Sequence, residues 1–363
     1  MNERSRDTTI DLAKGIAIIA IVLGHVLRGL SSAGQIDAHS GAFRSVDQFL
    51  YAFHLTVFAF LAALFVRRAV EREGTRKYLR SRDATFIYLY LLWSALQGGV
   101  KLLTSALVSS PTSIQDILAL WKPEGQLWFL PWLVVMTTVV GVTRPWRTRA
   151  SLLIAISLST ALSLASWGIS GPIAGTQGLG LAVFFVCGAV IGFDRFSAII
   201  RAIALPVWWL IALAGWAALV LLSMLTDATP PTINGDSRNL FTVLLGVAGS
   251  LAGFFGVIAV ARLISVLRNL TVGLSFIGER TLEIFLAHII AGSGMRIILS
   301  AVGIDDAYIH IIVGTTAGVT FPLLLIWFCR RINFPWLFKA PKFLTGEAKT
   351  VVLTQDARGT LSS

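Results

Sequence analysis

Ten apolar stretches constrain this chain more than any other feature, near residues 9–28, 48–66, 84–107, 126–143, 150–167, 178–193, 204–226, 240–261, 272–292 and 307–328. About twenty apolar residues in a helix cross the hydrocarbon layer of a bilayer, which is roughly 30 Å thick. No water at that depth satisfies backbone N–H and C=O groups, so each stretch must hydrogen-bond within itself as a helix. Composition agrees: of 363 residues 55% are hydrophobic and only 13% charged, with a mean hydropathy of +0.77, outside the range of soluble domains. The sequence predicts an all-α polytopic membrane protein of about ten transmembrane helices.

The net charge of +11 reads mainly as a topology signal. With the N-terminus in the cytosol, most lysines and arginines fall in the N-terminus, the connections 67–83, 144–149, 194–203 and 262–271, and the tail. That is the positive-inside pattern for N-in and C-in, in the plasma or inner membrane, and no nucleic-acid partner is implied. The basic N-terminus followed by an apolar run is similar to a signal peptide, but Asp11 and Lys14 interrupt it and no small-residue cleavage site follows, so it reads as a retained first span. Cys187 and Cys329 lie in separate apolar segments without a metal-type or redox-type neighbour, so neither a disulfide framework nor a metal site is expected. The expected organisation is a membrane domain over 1–332 and a cytosolic tail over 333–363, partly disordered. The longer outer connections are 29–47, 108–125 and 227–239, the last rich in turn formers as a solvated loop would be. Oligomeric state is not legible.

The first span carries three ionisable residues, Asp11, Lys14 and His25. At about 100° per residue, Lys14 and His25 return to within roughly 20° of one face, and Asp11 lies roughly 40° off it. At about 1.5 Å rise per residue, Asp11 and His25 stand about 21 Å apart. Ionisable groups at membrane depth are costly and usually face a partner or a water-filled path, which makes the stripe a candidate site. Asp11 and Lys14 also read as an i, i+3 ion pair, so a structural pair and a role in ligand access both stand. The run RRAVEREGTRKYLRSR over 67–82 reads either as topogenic charge drawn to anionic lipid or as a dock for a phosphate-bearing cytosolic ligand.

Of five histidines, His25, His54 and His288 fall at a similar depth on the first, second and ninth spans. Singly, each reads as a hydrogen-bonded interfacial histidine; their common depth points to a shared site. Neutral imidazole, with a pKa of about 6.5, can take a proton from an attacking hydroxyl and return it. Gly24 beside His25 permits close approach of either a neighbouring helix or a substrate. The ninth span carries Glu279, Arg280 and Glu283 in its inner half, with Glu279 and Glu283 sharing a face; His288 lies about 140° round from Glu283, so those two should not pair. The fourth span opens with Gln126, Trp128, Pro131 and Trp132. An aromatic belt explains the tryptophans, whereas a Pro131 kink beside their faces also suits a wall for a sugar or acyl group.

These segments together resemble the membrane-bound acyltransferase family 3, in particular its stand-alone members related to sugar O-acetylases such as fucose 4-O-acetylase. DLAKGIAIIAIVLGH, with Asp11, Lys14, Gly15, Gly24 and His25, looks like the family's first-span motif. YAFHLTVFAFL, with Phe53, His54 and Phe58, is similar to the second-span motif; LWFLPWL, with Trp128 to Pro131, to the fourth; and FIGERTLEIFLAH, with Gly278, Leu282 and His288, to the late one. Two features depart: Ala62-Ala63 stands where the family commonly has Ser-Gly, and its cytosolic Arg-x-x-Arg spacing is absent from 67–82.

The resemblance implies transfer of an acyl group, most often acetyl, from cytosolic acyl-CoA to a hydroxyl of a cell-envelope glycan or glycolipid, without a metal. It implies His25 as general base, or as acyl carrier in a two-step reaction, with His54 and His288 orienting substrate or stabilising the oxyanion. Asp11, Lys14, Gln126, Trp128 and Glu283 would contact substrate, and Arg76, Arg80 and Arg82 the coenzyme. On physics alone, a secondary transporter of a lipid-linked sugar or small anion would use the same stripe as its path.

Overall fold

A computed structural model of the protein describes residues 8–104, 113–235 and 238–346. In chain order the first helices are α1 (Thr8–Ser32), α2 (Gly41–Ala63), α3 (Val66–Glu73), α4 (Thr75–Leu103), α5 (Ile114–Leu118), α6 (Phe129–Thr143) and α7 (Arg149–Ser166). They are followed by α8 (Ala182–Ala202), α9 (Leu205–Leu225), α10 (Leu240–Ile264), α11 (Arg268–Gly278), α12 (Thr281–Ala301), α13 (Ala307–Arg331) and the short α14 (Lys342–Thr345). Among the described residues ten helical segments are long and apolar enough to cross a membrane, and there is no strand. The expected fold class holds.

α1 and α2 are the innermost of the ten. α2, α10, α11, α12 and α13 all pack on α1, and small residues let them approach. A Cβ on Gly15 would stand 2.5 Å from the Leu274 carbonyl oxygen, and one on Gly278 only 1.8 Å from that of Asp11, so α1 and α11 meet backbone to backbone. Ala63, where the resembled family has glycine, is accommodated by Gly188 of α8, whose own Cβ would lie 2.3 Å from the Phe60 carbonyl oxygen. α7 and α9 are the most lipid-exposed spans.

Several boundaries differ from the sequence reading. The ninth span does not run through from 272: α11 ends at Gly278, Arg280 leaves helical geometry (φ −116°, ψ 24°), and α12 begins at Thr281. The Arg280 guanidinium donates to the Phe276 carbonyl at 2.9 Å and pairs with Glu279 at 3.5 Å, a cation closing the carbonyl end of α11. Glu279 and Glu283 therefore do not share one helical face. The basic run is helical as α3 and the start of α4, hinged at Gly74 (φ 80°). α8 continues past 193 after a break at Gly192 (φ 70°, ψ 163°), where the Phe193 amide donates to the Leu64 carbonyl at 3.0 Å.

Residues 333–346 of the expected tail lie along α4, with the Trp93 indole donating to the Leu337 carbonyl and the Tyr88 hydroxyl to that of Trp336, both at 2.9 Å. Residues 347–363, 105–107 at the end of the expected third span and 108–112 of the expected outer connection lie outside the described residues.

Candidate active site

His25 lies toward the end of α1 remote from the N-terminus, and two cavities on that half of the bundle share it as wall. The larger, about 240 Å³, is bounded by Arg28, Tyr51, Gln126, Trp128, Gln177 and Thr232 as well as His25. Gly24 has the packing role: a Cβ there would meet Tyr51 at 3.3 Å and His54 at 3.9 Å, so its absence seats both rings of α2 against α1. Arg28 donates two hydrogen bonds to the Asp47 carboxylate, at 2.7 and 2.8 Å, and lies 3.7 Å over the Tyr51 ring. A bidentate guanidinium–carboxylate pair cancels its own charge, so this cavity presents a nearly neutral wall.

Three buried polar atoms of that wall have no hydrogen-bond partner: the hydroxyls of Tyr51 and Thr232 and Oε1 of Gln126. Gln126 is oriented by its amide N–H, which donates to the Phe285 and Leu286 carbonyls at 3.3 and 3.4 Å, leaving the oxygen as acceptor. Unpartnered buried polar groups are costly unless a ligand completes them, and the Trp128 ring adds an apolar surface to the same wall.

The roof of this cavity comes from the two connections 167–181 and 226–235, which supply Gln177 and Thr232 to its wall. The Gly168 amide donates to the Pro231 carbonyl at 3.2 Å and the Trp167 indole to that of Thr229 at 2.7 Å. Arg238 closes α7 by donating to the carbonyls of Trp167 (2.6 Å) and Ala165 (2.8 Å). The expected solvated loop over 227–239 is corrected here: Ala228, Thr229 and Thr232 are buried. Turn formers appear because the segment must fold back on itself, and a Cβ on Gly246 of α10 would lie 1.9 Å from the Thr229 carbonyl oxygen.

Of the three histidines expected at one depth, His25 and His288 come into ring contact, and His54 lies behind the Tyr51 ring. The His25 and His288 rings are 5.2 Å apart between centroids, and the His54 ring is 4.6 Å from that of Tyr51. Their environments differ, however. His54 is buried behind Tyr51, neither ring nitrogen has a partner, and it borders none of the three cavities described. His288 Nδ1 lies 2.9 Å from the Ile284 carbonyl oxygen. A carbonyl only accepts, so Nδ1 carries the hydrogen and Nε2 is the lone-pair nitrogen.

A second large cavity, about 280 Å³, opens on the half of the bundle nearer the N-terminus. Its wall is apolar and aromatic apart from Lys14, Tyr78, Arg82, Thr137 and Thr281. Phe129 and Phe285, with ring centroids 5.7 Å apart, border both large cavities and form the partition between them. Of the arginines expected at a coenzyme dock, Arg82 borders this cavity, whereas Arg76 and Arg80 are exposed on α4 and Arg80 lies beside Gly346. Lys14 Nζ is 4.0 Å from Asp11 Oδ1 and 4.9 Å from the centre of the Phe65 ring. Glu283 sits in the first turn of α12, where the helix dipole favours a carboxylate, and borders none of the cavities. Among the described residues no group of three His, Cys, Asp or Glu side chains is placed to hold a metal ion.

Sequence reasoning missed Arg28, Tyr51, Gln177 and Thr232. The signal available was the glycine density of 168–180, since glycines at 168, 175 and 178 take positive φ and allow the roof to close on Trp128.

Comparison with known proteins adds two findings. The profile of a family described as an acyltransferase domain matches residues 7–331, nearly all of the described bundle. A 170-residue stretch, 46% of this chain, is 28% identical to the nodulation protein NolL of Mesorhizobium japonicum (strain LMG 29417 / CECT 9101 / MAFF 303099). The match spans 39% of that protein's length.

Proposed function

This chain belongs to the acyltransferase-3 family, and from that premise we propose that it moves an acyl group, acetyl foremost, from cytosolic acyl-CoA to a hydroxyl of a cell-envelope glycan or glycolipid. In this reading it works in the plasma or inner membrane with both termini in the cytosol. The observation that carries the reading is the partition: two cavities at opposite halves of the bundle share only the Phe129 and Phe285 walls, and His25 stands on the far side. A donor on one side and an acceptor on the other need that division.

On the cytosolic side, the exposed arginines of α4 attract the coenzyme's phosphates and Lys14 and Arg82 border the chamber for its thioester arm. The aromatic wall there excludes water from the thioester. On the far side, the neutral wall with its three unpartnered polar atoms and the Trp128 face suits one uncharged sugar ring. His25 takes the proton of the acceptor hydroxyl as its oxygen attacks the thioester carbon across the parted rings. The C–O bond forms, the C–S bond breaks, and the thiolate leaves with the coenzyme. His288, whose free nitrogen is an acceptor, is unsuited to donate to the oxyanion; the Tyr51 hydroxyl, an unpartnered donor on the same cavity wall as His25, takes that role in this reading.

The test supplies membranes carrying the protein with radiolabelled acetyl-CoA and envelope lipid extract, comparing wild type with His25→Ala at equal expression. Label should appear in the lipid fraction only with wild type. Transfer that survives the substitution removes His25 from the chemistry. Absence of transfer with any acyl-CoA, together with movement of acceptor across vesicles, overturns the acyltransferase reading in favour of transport.

A further inference from the structure

The chain does not leave the bundle after α13. Asn333 takes a left-handed backbone (φ 54°) that turns the chain at the helix end, and the Phe334 amide donates back to the Cys329 carbonyl at 2.8 Å. The carbonyls of Trp336 and Leu337 then meet the Tyr88 hydroxyl and the Trp93 indole, and Gly346 lies beside Arg80, where a Cβ would stand 3.2 Å from Nε. From Arg80 to Trp93, α4 rises about 20 Å at about 1.5 Å per residue. Residues 333–346 are thus a re-entrant stretch that climbs the side of α4 and returns toward the end from which α4 starts.

This stretch has the backbone chemistry of a segment short of water. Irregular backbone at membrane depth persists only where its polar groups find partners. Pro335 and Pro341 carry no N–H to satisfy, the amides of Phe338 and Lys339 donate to the Pro335 carbonyl at 3.2 and 3.0 Å, and α4 takes two further carbonyls. Phe338 also turns its ring to that of Trp93, with centroids 5.6 Å apart.

Its outward side chains are of two kinds. Phe334, Trp336 and Phe343 stand exposed, and so do Arg330, Arg331, Lys339 and Lys342 on either side of them. From Ala307 to Gly346 the chain has these four cations and no acidic residue. None of the four is ion-paired among the described residues. A soluble phosphate would satisfy the charge and leave the open aromatic rings without a reason. A phospholipid brings both parts, an anionic headgroup for the cations and acyl chains for the rings.

We propose that residues 330–343 bind an anionic phospholipid of the leaflet on the N-terminal half of the bundle, its headgroup drawn by the four cations and its chains lying against Phe334, Trp336 and Phe343. The site stands apart from the acyl-transfer reading, since it involves neither donor nor acceptor.

Two measurements on the purified full chain test it. In native mass spectrometry with equal amounts of phosphatidylglycerol and phosphatidylcholine, wild type should retain phosphatidylglycerol in preference. Lys339→Gln/Lys342→Gln should weaken that retention about tenfold or more. Arg195→Gln/Arg201→Gln, which removes the same charge from exposed positions of α8, should change it by less than about twofold. In liposomes, phosphatidylglycerol with brominated acyl chains should quench tryptophan fluorescence more than the matching phosphatidylcholine does, and the excess should vanish in Trp336→Phe. Equal retention of the two lipids overturns the site, as does a preference that the α8 changes reduce as much as the lysine changes. Excess quenching that survives Trp336→Phe overturns it too, and this arm decides the matter if the lysine variant fails to accumulate. Displacement of the lipid by inorganic phosphate at constant ionic strength would assign the cations to a soluble anion instead.

Discussion

His25 on α1 and His288 on α12 stand with ring centroids 5.2 Å apart and planes inclined by 54°. The first and ninth spans thus meet through a polar contact, and His25 alone of the two also borders the larger cavity of that half. His25→Ala should therefore remove at least about two orders of magnitude of acyl transfer, the usual weight of a general base. The melting temperature of the purified variant should stay within a few degrees of wild type, because the change removes a polar group from a span instead of adding one. A large drop in melting temperature would reassign His25 to structure.

The Arg28–Asp47 pair gives a second expectation. Both side chains are partly buried, with exposures of 35% and 16%, so each ion depends on the other without being fully desolvated. Asp47→Ala should destabilise by about 1–3 kcal/mol, and the double variant Arg28→Met/Asp47→Ala by less, because the single change leaves a half-buried cation alone. Thermal unfolding in detergent of the four proteins of the cycle measures the coupling. Additive effects would show that the pair contributes nothing of its own.

Gly278 is the tightest contact between α11 and α1, and any Cβ there collides with the Asp11 carbonyl. Gly278→Val should cost about 1–3 kcal/mol or prevent accumulation of the protein, as overfilling does in a close-packed interior. Gly273 on the same helix has open space around its Cβ position and serves as control: Gly273→Val should have little effect on the melting temperature.

Much of this architecture was legible in the sequence, and the reasons differ by level. Hydropathy located ten spans because the bilayer allows no alternative to a continuous helix, and the depth of His25, His54 and His288 followed from counting residues along them. The break at Glu279 and Arg280 was not legible, since the surrounding residues remain apolar enough to continue a helix. It depends on the seat of Gly278 against α1, a contact between segments far apart in the chain. The roof of the remote cavity was missed for a similar reason: Thr232 lies in a run of turn formers that composition assigns to solvent, and only the hydrogen bonds to residues 167–170 bury it.

Thr232 yields an expectation of its own. Its buried hydroxyl lies on the cavity wall without a partner, so under the proposed function Thr232→Val keeps the shape and removes one polar contact to the acceptor. The loss should be about tenfold in kcat/KM for the glycan acceptor, with KM for acyl-CoA unchanged, as expected for about 1.4 kcal/mol of binding. Steady-state kinetics with each substrate varied in turn separates the two. An effect on the coenzyme side would move Thr232 away from the acceptor.

The partition of Phe129 and Phe285 carries the sharpest mechanical expectation. Its rings, 5.7 Å apart between centroids, separate a cavity bordered by Lys14 and Arg82 from one bordered by His25; under the proposed acyl transfer the same two side chains must keep water from the thioester and yet let the acyl carbon through. Changing the size of one ring should move those two duties in opposite directions. Phe285→Leu thins the partition at a stability cost of about 1–2 kcal/mol. It should raise acetyl-CoA hydrolysis in the absence of acceptor several-fold while transfer stays within an order of magnitude of wild type. Phe129→Trp thickens it, and should lower transfer about tenfold or more with hydrolysis at or below wild type and coenzyme binding unchanged. Acetyl-CoA consumption and label transfer, measured side by side, read the two separately. If both substitutions simply lower both rates together, the rings are packing for the bundle and the route between the cavities lies elsewhere.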